Sequence, residues 1–266
     1  MPVAAMPTLD AHSHVFRRDL PMAPTAITLP DHDFELAEYA AILDAHGIDK
    51  AVIAAPSFLG DYNDYTLAAI RGSKRIKTTV ILEPSTGPYV LRAMDAEGAE
   101  GVRLSLRNQK DLPDFTSFEW VKFLRRLADI GWHVHLHIDG ERMLLVLPAL
   151  MAAPVNLVVD HFGRPDPKLG AASPGFEALL RAFDTGRTWV KLSGGFRIGC
   201  DPAPLAKRLL EVGGPDQLVW GSDCPFTDHA DRVTYRTVLD DYLQWVPREQ
   251  DRARINAAAL KLYRFE

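Results

Sequence analysis

The chain has 266 residues, of which 47% are hydrophobic and 24% are charged, the composition of an ordinary globular protein. Its formal net charge is −5 and no block of Lys or Arg stands out, which argues against nucleic acid or an anionic membrane as a partner. No apolar run reaches the ~20 residues of a membrane helix, and the first ten residues lack the pattern of a signal peptide. Cys200 and Cys224 are far apart in the sequence. These features predict a cytoplasmic protein with one domain, residues 1–266, and no disulfide framework.

The predicted secondary structure alternates short apolar, β-branched runs with longer stretches of helical period. This alternation is typical of repeated βα units, which form a parallel sheet. The predicted strands cover residues 8–12, 51–55, 78–82, 101–104, 132–137, 156–160, 189–192 and 218–221. Helices are predicted between them, among others at residues 34–46, 117–130, 201–212, 231–245 and 248–262.

Eight predicted parallel strands in a chain of this length indicate a (β/α)8 TIM barrel with its active site at the carboxyl ends of the strands. The competing architecture, a doubly wound open sheet, usually has fewer strands, and the chain carries no Gly-rich phosphate-binding fingerprint. Residues 17–32 contain three prolines and little periodicity, which predicts a long loop after the first strand. Loops in this position build the active site of a barrel, so this one is expected to wall or cover the pocket.

A His-x-His motif ends the first predicted strand, within residues 10–16 (DAHSHVF). Alternate side chains of an extended chain share a face, so Asp10, His12 and His14 are expected to point the same way. Two imidazoles side by side on a rigid strand suit a metal ion or a developing anion. The alternative is a pair of buried histidines that are hydrogen-bonded for structural reasons.

Other polar and ionisable residues follow the later predicted strands and would meet at the same mouth of a barrel. Lys191, on the seventh strand, fits a buried ion pair and a substrate contact equally well. His133 and His135 lie deeper in the fifth strand and are expected to pack against neighbours. The residues expected at the mouth are Ser57, Arg103, His137, His161, Ser193 and Asp223.

Three arginines form a second set near the expected mouth. Arg103 lies on the fourth strand, Arg107 in the loop after it, and Arg197 in the loop after the seventh strand. Arginine recognises carboxylate, sulfonate or phosphate through paired, charge-assisted hydrogen bonds. A net-acidic protein with arginines at its mouth would select a small anionic substrate. The alternative is three ordinary surface ion pairs.

Six motifs occur in this order along the chain: residues 10–16 (DAHSHVF), 56–60 (PSFLG), 101–104 (GVRL), 160–165 (DHFGRP), 190–194 (VKLSG) and 220–223 (WGSD). Together they resemble the motifs of the amidohydrolase superfamily, in particular of its lactonase branch, which includes the 2-pyrone-4,6-dicarboxylate lactonases. The resemblance covers nearly the whole chain.

The resemblance implies a barrel that usually binds one or two divalent metals. The residues that correspond to its typical ligands are His12, His14, His137 and Asp223. Arg103 stands where the bridging ligand of the fourth strand would be, which argues against two metals. Members of the lactonase branch also work without a metal. No cofactor and one divalent ion, zinc first, are therefore both expected alternatives.

The resemblance also implies attack of water on the carbonyl of a small anionic lactone, either 2-pyrone-4,6-dicarboxylate-like or derived from a sugar acid. Asp223 would be the general base, and His161 would orient the water or polarise the carbonyl. His12 and His14, directly or through a metal, would stabilise the oxyanion. The residues expected to hold the substrate are Arg103, Arg107, Arg197 and Ser57.

Three other functions stay open from the sequence. Two are reactions of the same superfamily, hydrolysis of a cyclic amide or imide and zinc-dependent decarboxylation. The third is a non-catalytic barrel that binds a carboxylated metabolite. The resemblance also allows a homodimer.

Overall fold

The computed structural model describes residues 6–26 and 29–265, in which eight strands alternate with nine α-helices. The strands are β1 (Leu9–Ser13), β2 (Lys50–Ile53), β3 (Ile76–Val80), β4 (Ala99–Ser105), β5 (His133–His137), β6 (Asn156–Val159), β7 (Thr188–Leu192) and β8 (Leu218–Trp220). The helices are α1 (Leu36–His46), α2 (Asp64–Ile70), α3 (Pro88–Ala96), α4 (Phe118–Asp129), α5 (Gly140–Ala152), α6 (Pro174–Ala182), α7 (Pro202–Val212), α8 (Tyr235–Trp245) and α9 (Glu249–Leu262).

The strands form one parallel sheet in the order β1 to β8, and the first and last strands meet. A parallel bridge joins Ser13 to Cys224, and His14 N donates to Cys224 O at 2.9 Å. Asp223 N donates to His12 O at 2.8 Å. The ring therefore closes, and the predicted (β/α)8 barrel is confirmed. The hydrogen bonds that close the ring involve the main chain of His12, His14 and Asp223, whose side chains are candidate site residues.

The amino-terminal end of the barrel is closed by α9 and the residue that follows it. Tyr263 is fully buried, and its carbonyl oxygen accepts from Lys77 Nζ at 3.0 Å. Apolar packing at this end involves Leu9, Ala11, Val52, Val158, Val219, Ala259, Leu262 and Tyr263. Polar residues further along the strands therefore face the other end, the mouth.

The third strand lies two residues earlier than predicted, at Ile76–Val80 rather than 78–82. The apolar Ile81 looks like a strand residue, but its main-chain groups bond to the side-chain amide of Asn63. The Ile81 N–H donates to Oδ1 at 3.0 Å, and Nδ2 donates to the Ile81 carbonyl oxygen at 2.9 Å. A side chain thus takes the place of a neighbouring strand and ends the ladder.

The expectation that Asp10, His12 and His14 share a face is wrong for Asp10. The register of β1 against β2 shifts just after Asp10, as in a β-bulge, and such a shift re-aims the side chains that follow. Asp10 turns toward the helix layer, where Tyr39 of α1 and Tyr235 of α8 donate to it. His12 and His14 instead turn toward the mouth.

The predicted loop after β1 contains no helix or strand in its described part, residues 17–26 and 29–32, and residues 27 and 28 lie outside the described residues. Its base is closed by two hydrogen bonds between the main chains of Phe16 and Phe34. Ala23 N donates to Phe58 O at 2.7 Å, so the loop crosses the turn that follows β2.

No helix within residues 6–26 and 29–265 combines the length and the apolar character needed to cross a membrane. The cytoplasmic location and the homodimer stay predictions.

Candidate active site

Three side chains at the mouth bring acceptor atoms close together: His12, His14 and Asp223, called here the His–His–Asp trio. The Nε2 atoms of His12 and His14 are 3.3 Å apart, and Asp223 Oδ1 is 3.5 and 3.6 Å from them. The His12 side chain is fully buried, and that of His14 is 13% exposed. Three of the four predicted metal ligands therefore meet at one point.

Hydrogen bonds behind the two rings decide where their protons lie. His14 Nδ1 is 2.8 Å from Ala54 O, which can only accept, so this nitrogen carries a proton. His12 Nδ1 is 3.1 Å from the Asp160 carboxylate. Burial lowers the pKa of His12 to about 3 although Asp160 opposes the shift, so the ring is neutral at pH 7. The Nε2 atoms of both rings thus meet one carboxylate oxygen, and such a set of ligand atoms fits a divalent cation such as zinc.

Asp223 is held in an uncommon backbone conformation for a non-glycine residue, with φ at 66°. Arg197 Nε donates to its Oδ2, and His161 Nε2 lies 4.0 Å from its Oδ1. Burial by itself raises the pKa of Asp223, but the charge of Arg197 and the neighbouring imidazoles hold it well below its usual range. The carboxylate is therefore ionised.

His161 opens a turn of unusual backbone after β6. The φ angles are 50° at His161, 57° at Phe162 and 44° at Arg164. Residues other than glycine rarely adopt this region of the backbone map. Ser193 Oγ lies 2.9 Å from His161 Nδ1. A Cβ on Gly194 would come within 2.6 Å of the same nitrogen, so only glycine fits there. The turn and its neighbours thus hold the ring with Nε2 toward the trio.

Asp10 ties β1 to β8 beside the trio. Its carboxylate accepts from Ser222 N at 2.8 Å, from Ser222 Oγ at 2.6 Å and from His12 N at 3.1 Å. The hydroxyls of Tyr39 and Tyr235 each donate to it at 2.9 Å. Burial raises the pKa of Asp10, and the hydrogen bonds from Ser222 and His12 oppose that shift. Its donors fix the strand ends from which the trio projects.

The mouth also holds an arginine that sequence reasoning missed. Arg164 Nε and Arg107 Nε donate to the same oxygen of Asp139, at 3.3 and 3.2 Å. Burial and the charge of Arg107 lower the pKa of Arg164, whereas Asp139 opposes the shift. Arg197 contributes to the same positive field. The sequence signals for Arg164 are its position three residues after His161 and its place in the motif of residues 160–165.

Two predicted substrate contacts differ in exposure. Arg103 is 3% exposed, and its terminal nitrogens are bonded inside the barrel. NH1 donates to Ala55 O at 2.8 Å and NH2 to Asp160 Oδ2 at 3.2 Å. Ser57 is exposed at the start of a short 3₁₀ turn, Ser57–Leu59, after β2. Arg103 thus lies beneath the mouth, whereas Ser57 lies on its rim.

Two further predicted residues lie outside the trio. His137 is half-buried, and its ring centre is 5.5 Å from that of His161. Burial, followed by the charge of Arg103, holds its pKa well below the usual range. Lys191 is fully buried, with Nζ 2.7 Å from Ala11 O and 3.7 Å from Asp160 Oδ1. The structure therefore favours the ion-pair alternative for Lys191 over a substrate contact.

Comparison with known proteins identifies the family. The sequence profile described as Amidohydrolase matches residues 9–265. The chain belongs to the amidohydrolase family, and it is a hydrolase. It is 30% identical over 259 residues to 4-sulfomuconolactone hydrolase of Hydrogenophaga intermedia, covering 92% of this chain and 84% of that protein. It is 28% identical over 254 residues to 2-pyrone-4,6-dicarboxylate hydrolase of Comamonas testosteroni, covering 88% and 82%.

A solved structure has the same fold. A probable 2-pyrone-4,6-dicarboxylic acid hydrolase of Acinetobacter baumannii, crystallised with citric acid bound, superimposes with a TM-score of 0.92. It is 31% identical and covers 97% of this chain and 99% of its own.

Proposed function

We propose that this amidohydrolase opens a small anionic lactone by attack of water on the ring carbonyl. The observation that carries the proposal is the His–His–Asp trio beside three arginines at one barrel mouth. Two relatives, 30% and 28% identical, are named as hydrolases of a sulfonated and of a dicarboxylated lactone. The Acinetobacter relative binds citric acid, which is a small polycarboxylate.

Asp223 acts as the general base in this proposal. Its carboxylate is ionised, and Oδ1 faces the two imidazoles of the trio while Arg197 holds Oδ2. As the water oxygen bonds to the carbonyl carbon, its proton passes to Asp223. When the ring C–O bond breaks, Asp223 gives that proton to the departing oxygen, and the new carboxylic acid loses the second water proton to solvent and becomes a carboxylate.

His161 donates from Nε2 to the charge that develops on the carbonyl oxygen, whereas His12 and His14 would hold a cation through their Nε2 atoms. The Ser193 hydroxyl can donate to His161 Nδ1, which places the His161 proton on Nε2 at the site. A zinc ion held by the trio, when bound, would supply a Lewis acid that polarises the carbonyl and lowers the pKa of a water. The two Nε2 atoms and the carboxylate oxygen of the trio fit that ion.

Substrate anions are held by guanidinium groups. Arg107 and Arg164 share one oxygen of Asp139, so each keeps N–H groups for a carboxylate or sulfonate. Arg197 and the exposed Ser57 complete the rim. Arg103 contributes its charge from below, because its side chain is buried and both terminal nitrogens donate inside the barrel.

A lactone panel tests the function. Purified protein is incubated with 2-pyrone-4,6-dicarboxylate and with 4-sulfomuconolactone, after treatment with a chelator and again with added zinc, and ring opening is followed by ultraviolet absorbance. Loss of the ring absorbance with either lactone, abolished in Asp223→Asn, supports the proposal. Turnover of neither lactone under both conditions contradicts it and moves attention to cyclic amides, imides and aromatic carboxylates.

A further inference from the structure

Asp160, the last residue before the His161 turn, has no part in the chemistry proposed above, yet two histidines, a lysine and an arginine surround its carboxylate beneath the trio. Its side chain is fully buried. Oδ1 lies 3.1 Å from His12 Nδ1, contacts His135 Nε2 and lies 3.7 Å from Lys191 Nζ. Oδ2 accepts from Arg103 NH2 at 3.2 Å. A carboxylate with such partners is fixed in position and ionised.

His12 Nδ1 lies between two groups that favour opposite tautomers of the ring. The Asp160 carboxylate can only accept, so it favours a proton on Nδ1. Lys191 Nζ, 3.4 Å from the same nitrogen, can only donate, so it favours a bare Nδ1 and a proton on Nε2. The carboxylate is closer, at 3.1 Å, and Lys191 is already bonded to Ala11 O at 2.7 Å. The geometry therefore favours the tautomer with the proton on Nδ1.

We propose that Asp160 is a positioning residue that keeps the proton of His12 on Nδ1 and leaves Nε2 bare toward the trio. The bare nitrogen is the form that binds a cation or accepts a proton, whereas a protonated Nε2 would oppose both. Lys191 and Arg103 hold the carboxylate in place, and neither reaches the substrate in this role. The inference rests on the proposed function only where it assigns Nε2 of His12 to the reacting site.

Asp160→Asn is the decisive substitution, because it keeps the shape of the side chain and removes the charge. Lys191 then becomes the stronger partner of His12 Nδ1, and the proton is expected to move to Nε2. The tautomer is read from the imidazole ¹⁵N shifts of the full chain, freed of metal by a chelator, at pH 7, with His12→Gln to assign the signals. Zinc affinity, measured by competition with a chromophoric chelator, gives a second readout.

The matched control is Glu100→Gln. Glu100 is another buried acid, paired with Lys77 at 2.5 Å and with Arg264 at 2.5 Å, but it lies toward the amino-terminal end of the barrel. The Glu100→Gln variant is expected to be less stable than the wild type and to keep the wild-type tautomer of His12.

The inference predicts a bare Nε2 on His12 in the wild-type protein and in Glu100→Gln, and a protonated Nε2 in Asp160→Asn. Loss of this partner behind a ligand should weaken zinc binding about 10- to 100-fold. Turnover of an accepted lactone should fall in kcat, with KM little changed because the arginines that hold the substrate anions, Arg107, Arg164 and Arg197, are bonded to other residues. The inference is overturned if His12 keeps its wild-type tautomer in Asp160→Asn. It is also overturned if the His12 tautomer changes in Glu100→Gln as it does in Asp160→Asn.

Two arms keep the test decisive where Asp160→Asn fails to fold. A protonated Nε2 in the wild-type spectrum alone overturns the inference. Lys191→Met removes the competing donor and should leave His12 in its wild-type tautomer. A changed His12 tautomer in Lys191→Met would mean that Lys191, rather than Asp160, determines the tautomer, and would overturn the inference. Because the spectra require no substrate, failure of the lactone assay would reject the proposed function and leave this result standing.

Discussion

Replacing Asp10 by Asn is expected to destabilise the protein and to slow turnover together. The remaining carboxamide oxygen must face the backbone N–H groups of Ser222 and His12, which can only donate. The new NH2 group then faces three hydroxyls, those of Ser222, Tyr39 and Tyr235. Hydrogen bonds to a charged partner contribute about 1.5–3 kcal/mol and neutral ones about 0.5–1.5 kcal/mol. Weakening three of them costs about 3–5 kcal/mol, a large share of the ~5–15 kcal/mol that stabilises a typical domain.

Urea denaturation, followed by tryptophan fluorescence, measures this loss of free energy of unfolding. Tyr39→Phe removes one donor from the same carboxylate and serves as the graded comparison, with an expected cost of about 1.5–3 kcal/mol. The kcat of Asp10→Asn should also fall, because the anchored backbone groups fix the trio. A smaller stability loss in Asp10→Asn than in Tyr39→Phe would refute the reasoning about the carboxylate. An unchanged kcat in a destabilised Asp10→Asn would refute its link to the site.

Three further predictions concern the arginines, the metal and acid stability. Arg164→Gln should raise KM for a dicarboxylated lactone about 10- to 100-fold, as expected for lost hydrogen bonds between charged groups. The kcat should stay nearly unchanged, and an unchanged KM in steady-state kinetics would contradict the prediction. Zinc at 100 times its dissociation constant should stabilise the wild type by about 2.7 kcal/mol, visible as a higher Tm, and should leave the Tm of His14→Gln unmoved. Burial lowers the pKa of His133 from 6.5 to about 3, so between those values the unfolded chain binds a proton that the folded chain does not. The free energy of unfolding should therefore fall as the pH drops from 6.5 to 3, by about 5 kcal/mol for this ring. Denaturation at stepped pH should give a flatter curve for His133→Leu, and identical curves would contradict the assignment.

The barrel could be predicted because most strands contain short apolar or β-branched runs and are almost wholly buried, a pattern that is visible locally in the sequence. The errors arise where distant residues act on the backbone. The third strand ends early because Asn63, more than ten residues away along the chain, binds both main-chain groups of Ile81. Asp10 turns outward because the register of its strand shifts, which alternation alone does not reveal.

The site was predictable to the extent that its residues follow strand ends. His12, His14, His161 and Asp223 follow that rule and lie near one another. Arg164 was missed because it lies in a turn whose left-handed backbone brings it back to the mouth. The role of Asp160 depends on which of two groups lies closer to one ring nitrogen, a difference between 3.1 and 3.4 Å. Distances of that kind are set by the packed barrel and leave no trace in residue spacing.

Turnover of 2-pyrone-4,6-dicarboxylate in water enriched with oxygen-18 tests the central claim most directly. Water attack on the ring carbonyl predicts that the wild-type product carries one labelled oxygen in the newly formed carboxylate, and that Asp223→Asn yields almost no product. A product that has lost carbon dioxide, or a newly formed carboxylate that carries no label, would contradict the proposed chemistry.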